Sequence, residues 1–135
     1  MIGTWTLLAV LVVTTVYGLW HKNARGRVRE VAETGRSPLV EVIESLGELA
    51  TLVQFSSAFC APCRATKILL ADIASAEIGI KHVDIDAESH LTLVRELHIR
   101  STPTTLILDS SGREVGRAVG APKREQVLSV LAALR

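Results

Sequence analysis

Residues 51–73, TLVQFSSAFCAPCRATKILLADI, decide how the rest of the chain is read. Thr51 to Ser56 is rich in β-formers and too short for a core helix, which predicts a buried strand. Six residues on, Pro62 suits the first turn of a helix, where its missing N–H would have had no partner. Ala65, Ile68, Leu69 and Ile73 then form an apolar stripe. Cys60 therefore falls at a helix N-terminus, with Cys63 one turn along the same helix.

That placement has chemical content. A thiol attacks a disulfide only as thiolate, and the unpaired N–H groups and positive dipole end of a helix start favour the anion. Cys60 is thus the expected nucleophile. Cys63, separated from it by two residues, is in reach to close an intramolecular disulfide and is the expected resolving thiol. Neither a metal nor an organic cofactor is needed. Half of a zinc site is the competing reading of two such cysteines, but no second pair exists, and His21, His82, His90 and His98 are scattered. A pair of inert buried thiols is the other.

Outward from this unit the pattern alternates. Ile80 to Ile85 predicts a strand, Glu88 to Leu97 a helix, and Thr104 to Leu108 a strand. Asp109, Ser110, Ser111 and Gly112 predict a hairpin turn into a strand over Glu114 to Val119. A last helix starts at Pro122, with Val127, Leu128, Val130, Leu131 and Leu134 on one side. Upstream, Leu39, Val42, Ile43, Leu46 and Leu49 recur at helical spacing. Parallel units followed by a hairpin imply an α/β fold, a mixed central sheet with helices on both faces.

At the other end, Ile2 to Trp20 holds no charged residue, and as a helix it would nearly span a bilayer's hydrocarbon core. Trp5, Tyr17 and Trp20 suit the headgroup level. The run lacks the basic start and small-residue end of a cleaved signal peptide, and it lacks the polar face of a core helix. Residues 1–20 therefore read as a transmembrane anchor. Lys22, Arg25, Arg27 and Arg29, with His21, follow the span, so the positive-inside rule places the C-terminal domain in the cytoplasm, behind a single pass of the cell membrane. The same cluster also suits lipid headgroups. Residues 21–37 read as a basic juxtamembrane linker with a short helix over Arg25 to Glu33, and 38–135 as the globular domain.

Totals limit the function. In 135 residues there is room for one ordinary domain, and 15 basic against 14 acidic residues argue against a nucleic-acid surface. Two cysteines are too few for a disulfide scaffold.

FSSAFCAPCRATK resembles the active-site segment of the thioredoxin family, and IRSTPTTLILDSSGREVGRAVGA resembles its later half, so the likeness covers about Leu39 to Arg135. It implies a thioredoxin-like fold and protein-disulfide reduction, with a thiol or a reductase as electron donor. It also implies a cis-proline at Pro103 facing Cys60 and Cys63, a glycine near the end of the last strand at Gly120, and substrate contact through Phe59, Ala61, Pro62, Thr102 and Pro103. Phe59 replaces the family's usual Trp, and Ala61-Pro62 its Gly-Pro; proline in the third place resembles the reducing members. Gln54 stands where many members bury an aspartate that moves the proton of the second cysteine. An amide has no titratable proton at these pH values, which predicts a slower resolving step. His82, on the adjacent strand, is either a replacement base or a structural histidine. Arg64 and Lys67 read as solvated cations, and Asp84, Asp86 and Glu88 lack the pattern of a calcium loop. Two rival functions remain: a redox sensor or partner-binding module on the same fold, and an extracytoplasmic thiol reductase serving cytochrome maturation.

Overall fold

A computed structural model describes residues 1–24, 26–31 and 35–135 of the chain. Five strands form one sheet: β1 (Val28–Glu30), β2 (Ala50–Ser56), β3 (Ile80–Asp86), β4 (Thr104–Asp109) and β5 (Glu114–Val119). Their order is β1-β5-β4-β2-β3, with β2 and β3 parallel and the other neighbours antiparallel. Four helices accompany it: α1 (Ile2–Ala24), α2 (Ala61–Ala76), α3 (Leu91–Glu96) and α4 (Arg124–Ala133).

Alternation along β2 divides the core into two layers. Ala50 and Leu52 pack with Leu70 and Ile73 of α2 and Val127, Val130 and Leu131 of α4. Val53 and Phe55 pack on the opposite face with Leu39, Ile43, Leu93 and Leu97. Burying each large apolar side chain contributes roughly 1.5–3 kcal/mol, whereas an exposed ion pair such as Lys67–Asp84 contributes about 0–1 kcal/mol, so these two layers hold the fold. The mixed sheet with helices on both faces is as the sequence implies.

Several local expectations are corrected. The helix read over Arg25 to Glu33 does not form: Val28–Glu30 is strand β1, which registers Val28 against Ala118 of β5, while Arg25 and Glu33 themselves lie outside the described residues. Three residues carry too little periodicity to reveal a strand whose partner lies at the far end of the chain. The helix read from Leu39 to Leu49 shrinks to a 3-10 turn, Pro38–Glu41, capped by Ser37. Leu39 and Ile43 still reach the core, but Gly47 then passes so close to the carbonyls of Ala50 and Gly79 that a Cβ would not fit there. α3 starts at Leu91 rather than Glu88, because the Asp86 carboxylate accepts the Glu88 N–H and the Ser89 hydroxyl and holds a turn. On α2 the buried line is Cys63, Thr66, Leu70 and Ile73, while Ala65 and Ile68 face solvent. α4 begins at Arg124, just after Pro122, and buries the expected side.

α1 continues four residues past Trp20, and its large apolar side chains from Trp5 to Trp20 are exposed. The hydroxyls of Thr4, Thr6, Thr14 and Thr15 each donate to a carbonyl one turn back, so these polar groups are satisfied within the helix. The helix is long and apolar enough to cross a membrane.

Candidate active site

Cys60 caps the N-terminus of α2 in extended conformation, and its Sγ accepts the Cys63 N–H at 3.2 Å. The two cysteines are joined as a disulfide, with Cα atoms 5.2 Å apart. They differ in access. Cys63 is buried, Cys60 is partly exposed, and Ala61 and Pro62 beside it face solvent. Phe59, immediately before the pair, is completely exposed, an unusual state for a Phe and one that leaves its ring free for a partner.

A second loop closes on this one. The Thr102–Pro103 peptide is cis, as the family resemblance implies. Pro103 is buried, and Thr102 is half-buried with its Oγ1 3.0 Å from the Ser57 hydroxyl, tying the two loops together. Gly120, at φ 90°, donates its N–H to the Pro103 carbonyl at 2.8 Å. An L-residue rarely adopts that backbone conformation, which explains a glycine here. Phe59, Ala61, Pro62, Thr102 and Pro103 thus belong to two neighbouring loops at one end of the sheet. That adjacency follows from register, which sets Phe55 at the end of β2 beside Thr104 at the start of β4.

Beneath the pair lies Gln54, fully buried, whose Nε2 donates to the Cys63 carbonyl at 2.8 Å. Among the described residues its Oε1 has no hydrogen-bond partner, nor do the hydroxyls of Thr66 on α2 and Thr105, the residue opposite Gln54 on β4. Sequence reasoning found Gln54 but missed Thr66, Thr105 and Ser57. Hydroxyls carry no spacing signature, and only the strand register brings Thr105 to Gln54.

His82 is half-buried on β3, level with Leu52 rather than Gln54. Burial pulls its pKa down; the Asp84 charge opposes this and Lys67 adds to it. Among the described residues its Nε2 has no hydrogen-bond partner, and none of their hydrogen bonds links it to Cys63. Lys67 is engaged in an ion pair with Asp84 at 3.0 Å, and the Ser56 hydroxyl donates to the same carboxylate. Arg64 is exposed. Asp86 is used by Glu88 and Ser89.

A disulfide at a helix start, faced by a cis-proline loop at one end of a mixed sheet, defines a thiol–disulfide oxidoreductase site. Known proteins agree. The Thioredoxin family model matches residues 36–133. Thioredoxin of Pyropia yezoensis is 35% identical over 92 residues, covering 67% of this chain and 83% of the relative. Thioredoxin H-type 1 of Nicotiana tabacum is 34% identical over 74 residues, 55% of this chain, which spans only 58% of that relative's length. Among solved structures, thioredoxin F from spinach chloroplast superposes with a TM-score of 0.60 at 26% identity, over 80% of this chain and 96% of that one. Thioredoxin NaTrxh from Nicotiana alata gives 0.57 at 25%, over 65% and 75%. The chain belongs to the thioredoxin family, as an oxidoreductase with a closely spaced cysteine pair.

Proposed function

We propose that the chain reduces protein disulfides through Cys60 and Cys63 while anchored to the cell membrane by α1. The observation that carries the redox assignment is the helix-capping Sγ of Cys60, which receives the Cys63 N–H where the thiolate charge would sit. In the dithiol state, the Cys60 thiolate attacks a substrate disulfide; one substrate sulfur bonds to Cys60 and the other leaves as a thiolate. Cys63, deprotonated, then attacks Cys60 Sγ. This releases the second substrate thiolate and forms the Cys60–Cys63 disulfide, so two electrons have passed to the substrate. A thiol donor or a reductase restores the dithiol. Phe59, Ala61, Pro62, Thr102 and Pro103 contact the substrate, with Thr102 at the edge of the loop able to align its backbone.

The membrane reading rests on the length and apolarity of α1 and on its self-satisfied hydroxyls. Lys22, Arg27 and Arg29 follow the span, which favours a cytoplasmic domain and opposes the extracytoplasmic alternative.

Reduction of insulin by the detergent-solubilised full chain, with dithiothreitol as donor, tests the redox assignment. Multiple turnover is expected. Cys60→Ser should abolish it, and Cys63→Ser should trap a mixed disulfide visible on a non-reducing gel. Stoichiometric oxidation without turnover would instead make the chain a redox sensor or a binding module.

A further inference from the structure

We infer that the reductase works on disulfides held at the bilayer surface, on proteins that are themselves membrane-anchored, rather than on disulfides far from the membrane. The inference deepens the proposed function and rests on its membrane reading. Its basis is where α1 joins the sheet. The Gly26 N–H donates to the Val119 carbonyl at 2.6 Å, and Val28 registers against Ala118, so the chain leaves α1 and enters β1 at the C-terminal end of β5. Val119 in turn registers with Thr104, and Thr104 with Phe55. The end of the sheet that receives the anchor is therefore the end that carries Pro103, Ser57 and the cysteines.

Distances follow from strand geometry. β1 and β2 are three neighbours apart in the sheet, roughly 14 Å at the usual strand spacing. The two-residue step from Ala24 to Gly26 adds at most about 7 Å. The steps from Gly26 to Val28 and from Phe55 to Cys60 add at most about 7 Å and 18 Å, which keeps the redox pair within roughly 46 Å of the end of α1.

The junction is held, not loose. Gly26 lies at φ 83° against the Ala121 carbonyl, with no room for a Cβ. Asn23 at the end of α1 accepts a hydrogen bond from Lys123 Nζ at 3.3 Å, and the Val28 N–H donates to Gln126 Oε1 at 3.4 Å. These contacts bring Lys123, from the start of α4, beside Lys22; Arg27, just before β1, and Arg29 within it are exposed. Lys22 of α1 and Lys123 of the α4 cap so lie side by side where an anionic headgroup layer would lie and would attract them. Docked this way, the exposed ring of Phe59 and the site belong to the membrane-proximal end of the domain. An extended juxtamembrane segment could enter there.

The test uses the full chain reconstituted in phosphatidylcholine–phosphatidylglycerol vesicles, with dithiothreitol as electron source and its background rate subtracted. Two quenched-fluorophore peptide disulfides are coupled to lipid headgroups. One has a Gly-Ser spacer of about four residues, reaching roughly 11 Å; the other has a helical (EAAAK) spacer of about 40 residues, reaching roughly 60 Å. The short-spacer probe should be reduced at least about tenfold faster. Inserting a similar helical spacer into the protein after Ala24 should reverse that preference while leaving insulin reduction within about twofold. Equal rates on the two probes, or an unchanged ratio after the insertion, would overturn the inference. Failure to turn over insulin in any form would overturn the reductase reading, and this inference with it.

Discussion

Gln54 meets Cys63 through a peptide carbonyl, not through the sulfur, and its amide takes up no proton at ordinary pH. The resolving thiol must then lose its proton to water or to the leaving group. Gln54→Asp supplies a carboxylate in that place, and we expect it to speed resolution of the mixed disulfide about tenfold and to give the rate a new pH dependence. Rapid-mixing measurement of that single step across pH 6 to 9 checks this, and an unchanged profile would refute it. The same substitution buries an acid, so the unfolding midpoint should fall, by about 1–3 kcal/mol in stability. At this scale the site was largely legible: the cysteines announced themselves by spacing, and Thr102 and Pro103 by resemblance. Thr66 and Thr105 were not, because what makes them notable is a buried hydroxyl with no partner among the described residues, a property of packing alone.

Among the elements, the β4–β5 hairpin offers the clearest electrostatic test. Asp109 is buried, and burial works against its charge. The Ser111 hydroxyl, the Arg113 and Ser111 N–H groups and the Arg113 guanidinium more than compensate, holding its pKa below the usual carboxylate value. A depressed folded pKa means stability that is complete above the unfolded pKa, about 3.9, and lost as pH falls through the folded value. Asp109→Asn should therefore cost roughly 1–2 kcal/mol at pH 7 and much less near pH 3. Urea midpoints of both proteins at the two pH values decide it; a gap independent of pH would show that the charge contributes nothing. This hairpin was readable because Asp, Ser and Gly mark a turn between two alternating runs. β1 was not, since Val28, Arg29 and Glu30 become a strand only through β5. The apolar spacing of Leu39 to Leu49 misled in the opposite sense: a 3-10 turn followed by irregular chain buries Leu39 and Ile43 just as a helix would.

For the whole molecule, composition located the long apolar helix but not how it joins the sheet. The basic segment after Trp20 reads as linker, whereas it supplies helix to Ala24 and then an edge strand. Anchoring itself has a direct check: after alkaline carbonate extraction the full chain should remain with the membranes, and a chain starting at Gly26 should be released. Release of both would leave α1 without a membrane role. The pairing of Val28 with Ala118 also bears on biosynthesis. β1 leaves the ribosome before β2, β3 and β4, and its partner β5 after them, so the edge strand waits for three intervening strands. With α1 as the proposed anchor, insertion of the helix into lipid would precede completion of the sheet. The side of the bilayer would then be chosen by an unfolded chain, and the nascent domain would finish folding with its first strand already moored.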